Sequence, residues 1–358
     1  MPVSATYKHQ GRNASQQFDD SLTDSTTVGA TFPKPEIIRA LAASKLLVKF
    51  NFANAGFGGS IVTVVSLVGT TWTMTGNQRD FEVFVNGYAL RRDAVNTPTT
   101  LASRLETGIN VNVKNKTANN GSIINAVTVF GPGLPGFVNF TTTPGTGLAL
   151  TKLAGCDFWS MNGAACRALV AMKILKASDL SEPAFAALPA AQQALTAGQV
   201  LTDAAVQTIT PNSLYKFVLT TTGGTVTYWE RLRSRPFTTP ELKKVTFLAF
   251  SPATSNLVTT TSATLFNGGT KPTISWTRPS GAVPAFNAKF FHGDFSDQTD
   301  VKFSDLTATI PCSVNADCNG SDYKTPITLL NSGGQTIEQF QLVGRNRFDA
   351  QIFTLVAR

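Results

Sequence analysis

Charge is scarce in this chain. Asp, Glu, Lys and Arg make up 15% of its 358 residues, where an ordinary soluble domain carries about 25%. Thr, Ser, Asn and Gly take much of their place. A large protein with so few ions more plausibly hides part of its surface against other protein, copies of itself first. Histidine is scarcer still, limited to His9 and His292. A Ser-His-Asp relay would have to use His292, yet no Gly-x-Ser-x-Gly elbow accompanies it, so His292 reads as a strand-end residue. The four cysteines, Cys156, Cys166, Cys312 and Cys318, contain no Cys-x-x-Cys pair, which removes the common zinc arrangements. Cys312 and Cys318 bracket a short polar loop and are either free thiols or a small disulfide. No Gly-x-x-x-x-Gly-Lys-Ser/Thr run provides a P-loop. No stretch of about 18 apolar residues provides a membrane-spanning helix. Met1 to Gln10 lack an apolar segment, so no secretory signal is expected. These absences leave no catalytic signature and no cofactor or metal site, and the expectation is a protein that is not an enzyme.

Apolar residues are plentiful, at 42%, enough for a packed core. Phe dominates the aromatics, with 25 residues against 5 Tyr and 4 Trp. Phe has no polar tip, so most of these rings belong in cores or subunit contacts. Net charge is +8, carried in small knots: Arg91–Arg92, Lys114 with Lys116, Arg231, Arg233 and Arg235, and Lys243–Lys244. None reaches the length of a basic patch. The arginine triplet is the candidate for contact with phosphate, in nucleic acid or lipid.

Short Val/Ile/Phe/Thr runs separated by glycine turns dominate the pattern and predict strands. Asn86-Gly87 between alternating runs predicts a hairpin turn, as does Gly223-Gly224 between Leu214–Leu219 and Val226–Glu230. Helices are expected over Glu36–Leu46 after Pro33 and Pro35, over Thr97–Leu105, over Asp157–Lys176, and over Asp179–Ala197 with a break at Pro189. Residues 1–31 read as a polar arm that orders against a neighbour. The expected organisation is this arm, a first β-rich domain at 32–150, a helical connecting segment at 151–210 and a second β-rich domain at 211–358. The fold class is mainly β: two β-sandwich or jelly-roll-like halves with short helices and a central helical segment.

Three further features have competing readings. Gly131-Pro132-Gly133-Leu134-Pro135-Gly136 fits Gly-x-Gly-x-x-Gly, but two prolines interrupt it and a strand-like run follows. It reads as a turn, since a phosphate cradle needs a helix N-terminus there. Asp294, Asp297, Asp300 and Asp305 crowd one acidic segment without EF-hand spacing; a solvated loop and a calcium site are the alternatives. Trp72, Trp159, Trp229 and Trp276 are core residues or, on a surface, stacking platforms for sugars. The sequons at Asn13, Asn115, Asn139 and Asn319 read as chance.

In the order of its elements, strands from Leu47 to Thr142, helices near Asp157 to Ala197 and strands from Leu214 to Val356, the chain resembles virion structural proteins of the double jelly-roll major capsid type. The resemblance covers most of the chain and lies in architecture alone. It implies a virion subunit made in a host cytoplasm. Such a subunit assembles with copies of itself as trimers or larger and contacts other virion proteins, with nucleic acid or a membrane on an inner face. The module from Phe81 to Val129 also resembles hairpin–helix–hairpin units of phage tail proteins, which makes a tail tube or sheath subunit the alternative in the structural class. From another class, the alternative is a carbohydrate-binding adhesin or depolymerase using the tryptophans.

Overall fold

A computed structural model describes residues 2–9, 11–15, 31, 34–54, 57–95, 103–114, 122–134, 137–143, 147–150, 157–161, 165–176, 179–181, 202–232, 234–258, 271–292, 295–302, 304–311, 338–346 and 350–357. The protein is mainly β, with several sheets and few short helices. Its contacts divide it into two compact units: Met1–Val83 with Val113–Ile123, and Phe84–Asn112 with Ile124–Arg358.

The first unit is built on an antiparallel four-stranded sheet, ordered β1 (Glu36–Ala42), β2 (Lys45–Asn54), β3 (Phe57–Val68) and β4 (Thr71–Met74). The helix expected over Glu36–Leu46 is therefore absent. The chain turns at Ala43-Ser44, and Glu36 lies opposite Lys49, Ile37 opposite Val48. A helix of about ten residues is marginal by itself, whereas the β-branched pair Ile37-Ile38 fits a strand and β2 offers a full ladder to pair with. Register shifts between Ile37 and Arg39 and between Ala40 and Ala42 kink β1, as suits an edge strand. Residues 2–15, part of the expected arm, run along their own unit. Val3 bridges Met74, the Ser4 N–H donates to the Met74 carbonyl (2.9 Å), Lys8 pairs with Asp80 (2.5 Å), and Tyr7 is buried. Val3 and Tyr7 are the anchors, two apolar residues in a polar run.

Most of the second unit is built on an eight-stranded sheet. Along the chain come β5 (Glu82–Ala94), β6 (Arg104–Lys114), β7 (Ile124–Phe130), β8 (Val138–Thr143), β9 (Gly147–Leu150), β10 (Asp157–Met161) and β11 (Ala165–Lys176). Then come helix α1 (Asp203–Thr208), β12 (Ser213–Thr221), β13 (Gly224–Leu232), α2 (Thr239–Leu242), β14 (Ala249–Phe250) and α3 (Pro252–Leu257). The chain closes with β15 (Thr273–Thr277), β16 (Ala285–His292), β17 (Phe295–Asp300), β18 (Thr307–Thr309), β19 (Glu338–Arg345) and β20 (Gln351–Ala357). The large sheet has the order β10-β11-β6-β5-β20-β19-β16-β17; a five-stranded sheet runs β13-β12-β7-β8-β9, and a small one β14-β15-β18. β20 and β5 pair in parallel, Gln351 beside Tyr88.

Within the expected helical segment, Asp157–Met161 and Ala165–Lys176 are instead strands, the antiparallel pair β10–β11, with Asp157 opposite Leu169 and Met161 opposite Ala165. Ile174 packs with Tyr88, Leu90 and Phe353, while its neighbour Leu175 packs with Ala89, Leu105 and Leu242. A strand buried on both sides carries a continuous apolar run, and such a run has no period to tell it from a helix. The short α1 is helical, opened by Thr202 capping the Ala205 N–H. The expected helix at Thr97–Leu105 gives way to β6 at Arg104, and its residues 97–102 lie outside the described residues, as does most of Asp179–Ala197. Helix α3 is opened by Ser251, whose hydroxyl accepts from the Thr254 N–H.

Asn86-Gly87 is not a turn; β5 runs straight through it. Gly87 answers a different need. Its N–H donates to the Ser234 carbonyl (2.7 Å), and a Cβ at this position would collide with the carbonyl oxygens of Ser234 and Arg235. Close approach of two backbones demands glycine as firmly as a positive φ does. Gly87→Ala is expected to lower stability by about 2 kcal/mol, read as a shift in the urea midpoint.

Candidate functional site

The five-stranded sheet positions the candidate site. β12 and β13 alternate cleanly. Tyr215, Phe217, Leu219, Tyr228 and Leu232 point inward and are buried, each contributing about 1.5–3 kcal/mol through its removal from water. The intervening residues of β13, Thr225, Thr227, Trp229 and Arg231, face out. The hairpin closes at Thr222-Gly223, where Thr221 Oγ1 donates to the Gly224 carbonyl (2.8 Å) and Gly224 adopts φ +117°. β7 follows the same rule from Ala126 onward, with Val127 and Val129 buried and Phe130 exposed; a register shift against β12 at Thr220–Thr221 puts the buried Ile124 out of phase.

Register then aligns the outward side chains across the sheet. Trp229 lies opposite Lys216 on β12, Lys216 opposite Phe130 on β7, and the ring of Phe130 packs against Phe137 at 6.1 Å between centroids, tilted by 55°. The result is one row, Trp229, Lys216, Phe130, Phe137, crossing from β13 to the start of β8. Trp229 is 52% exposed, Phe137 45% and Phe130 39%, and Leu214 beside the row is 46% exposed. A single exposed apolar residue is ordinary; several exposed aromatics gathered on one sheet face, here Phe130 with Phe137 and Trp229 across Lys216, make a candidate contact surface.

Local chemistry fixes the row's far end. Tyr215, buried under β7, donates its hydroxyl to the Pro132 carbonyl (2.5 Å), and burial raises its pKa above the ordinary phenol value. Gly131 lies so close that a Cβ there would enter the Tyr215 ring. The described part of the Gly-x-Gly-x-x-Gly segment, residues 131–134, is thus a turn after β7; Gly133 takes φ +77° within it, and the Leu134 N–H donates to the Gly131 carbonyl (3.2 Å).

The arginine triplet is not brought together as a patch. Arg231 faces out beside Trp229 and donates to the Asn212 carbonyl (3.1 Å). Arg235 turns to Glu241 in a bidentate pair (2.8 and 2.7 Å). That pair, with the Thr238 N–H and hydroxyl, holds the Glu241 carboxyl down to about 2. Arg233 lies outside the described residues. Arg92, from another basic knot, is buried.

Of the four tryptophans, Trp229 alone meets the requirement for surface stacking among the described side chains: Trp276 is buried with Phe290 and Phe340 in the core, Trp72 is half-buried, and the Trp159 side chain is outside the described residues. The acidic segment is a strand rather than a loop over Phe295–Asp300. Asp297 sits opposite Phe290 and Asp300 opposite Asn287, so the two carboxylates lie on opposite faces. Asp300 accepts from Asn287 (3.0 Å) and Asp305 from the Lys302 N–H (2.8 Å). Among the described residues no three His, Cys, Asp or Glu side chains gather as metal ligands. His292 ends β16, paired to Phe295 and Glu338. Cys312 and Cys318 lie outside the described residues.

Sequence reasoning singled out Trp229 and Arg231 but missed Lys216, Phe130 and Phe137. The signal was present in β12 and β13: Leu214, Lys216, Trp229 and Arg231 fall on the parity that the buried Tyr215, Phe217, Tyr228 and Leu232 leave outside.

A scan against family models and a search of curated proteins found no match. Among solved structures, the chain is similar to one from work on host cell surface retention of a 1.5-MDa bacterial ice-binding adhesin. The identity is 8%, with 88% of this chain and 73% of that one covered and a TM-score of 0.20. A second comes from work on a calcium-stabilised adhesin with which an Antarctic bacterium binds ice, at 10% identity, 88% and 55% coverage and a TM-score of 0.19. TM-scores this low describe no shared fold and bear no weight on function.

Proposed function

We propose that this chain is a non-catalytic β-sheet protein that works by contact, as a carbohydrate-binding adhesin. The row Trp229, Lys216, Phe130 and Phe137 carries the reading. It sets aromatic side chains in line on a rigid sheet, flanked by the hydroxyls of Thr225, Thr227 and Thr128. Sugar rings present C–H faces to aromatics and hydroxyls to polar neighbours, so this surface offers both halves of their recognition. Such binding needs no cofactor.

The second reading is a self-assembling virion structural protein of the major capsid or tail type. Its support is β1, whose seven residues are all exposed, among them Ile37, Ile38 and Leu41. A subunit that buries these against copies of itself would account for the sparse charge. Partners would then be further copies in trimers or larger, other virion proteins, and nucleic acid or lipid at Arg231, with the virion as its location.

A glycan array probed with the full chain, paired with light scattering after size exclusion, separates the two. Glycan binding by a monodisperse small species is the expected result. A blank array with trimers or larger would overturn the adhesin reading in favour of the second.

A further inference from the structure

We infer that the outer face of the five-stranded sheet selects acidic glycans, with Lys216 as the residue that reads their negative charge; this rests on the adhesin reading. Charge on that face has one sign. Lys216 lies in the middle of the row, between Trp229 and Phe130, and Arg231 stands next to it at the sheet edge, on the partner of Leu214. No Asp or Glu occupies an outward position among the described residues of β7, β8, β12 and β13. Five cations elsewhere meet carboxylates among the described residues: Lys8 with Asp80, Arg91 with Asp93, Arg104 with Glu106, Lys173 with Asp203, Arg235 with Glu241. The two on this face have none of these.

Placement matters as much as sign. Adjacent strands are about 4.8 Å apart, so the Lys216 side chain is long enough to reach a group held at either flanking ring. A pyranose stacked on Trp229 or Phe130 would put a carboxylate or sulfate substituent within reach of the ammonium, a charge-assisted contact stronger than a neutral one. The neighbouring columns on this face are uncharged and rich in Thr: Thr227, Val218, Thr128 and Asn139 in one, Thr225, Thr220 and Ala126 in the next. They suit hydroxyls. A single-stranded nucleic acid, which brings a phosphate with every base, would require cations repeated along the face, and these columns hold none.

The test compares polygalacturonate and alginate with their fully methyl-esterified forms, which keep the backbone and lose the charge. Full-length protein and the variants Lys216→Gln and Trp229→Ala are measured by biolayer interferometry at 50 and 300 mM NaCl, with a thirty-nucleotide oligo(dT) as a third ligand class. The expected result is tighter binding to the acidic polymers than to their esters and weakening with salt. Lys216→Gln should lose about tenfold on the acids and much less on the esters. Binding acids and esters equally, with loss on Trp229→Ala alone, would overturn the charge selection and leave the adhesin reading standing. Binding neither polymer, or binding oligo(dT) in preference, would overturn both.

Discussion

Replacing Glu106 with Ala is expected to cost about 3–5 kcal/mol of stability, the largest effect of any single substitution considered. Glu106 on β6 is completely buried and forms an ion pair with Arg104, itself only 3% exposed. Arg104 Nε and Nη1 are buried without a hydrogen-bond partner among the described residues. The pair has therefore been desolvated without the surrounding hydrogen bonds that would repay the cost. Removing one member leaves an uncompensated charge inside a sheet. Removing both is another matter. The double variant Arg104→Met with Glu106→Leu fills the same space with apolar groups and should be as stable as the parent or more so. Thermal melting followed by tryptophan fluorescence reads the comparison, because Trp276 lies in the core of the same unit. A mild single variant would show the pair to be far better solvated than its burial implies.

The second large effect is a dependence on pH, set by His9. Burial, first of all, and then the charge of Arg79 lower its pKa from 6.5 to about 4; Arg12 adds to the shift and Glu82 opposes it. Its Nδ1 is buried without a hydrogen-bond partner among the described residues, and the ring stacks on Tyr7 at 6.5 Å. The unfolded chain takes up a proton near pH 6.5, and the folded one resists until about pH 4. Between these values the unfolded state binds more protons, so stability falls as pH falls, by about 3 kcal/mol over the full window. Above pH 6.5 His9 contributes no slope. His9→Phe keeps a ring against Tyr7 and removes the titration. Its denaturation midpoint should be flat from pH 6.5 to 5, where the parent's declines. Parallel profiles for the two proteins would refute the assignment.

Particular elements explain what was legible in the sequence. The β12–β13 hairpin was, because Gly223-Gly224 sits between two runs of strand-forming residues and local rules suffice there. β16, β19 and β20 were, as short β-branched and aromatic runs. β10 and β11 were not: their apolar residues are continuous because Ile174 and Leu175 serve cores on opposite faces. Asn86-Gly87 misled because a distant segment, Ser234-Arg235, determines that glycine. The row at the candidate site escaped for a related reason. Trp229 and Phe130 are 99 positions apart in sequence, and only the register of β13, β12 and β7 brings them into line. Local patterns report pairing within a hairpin; they are silent on which hairpins lie side by side.

Binding of the full chain and of Trp229→Ala to a glycan ligand taken from the array tests the account most directly. Trp229 is outward-facing and more than half exposed, so its removal should leave the melting temperature within about 2 °C of the parent. Affinity should fall about tenfold or more as the stacking face is lost. Unchanged affinity in a folded Trp229→Ala protein would contradict the account, because the row would then take no part in recognition.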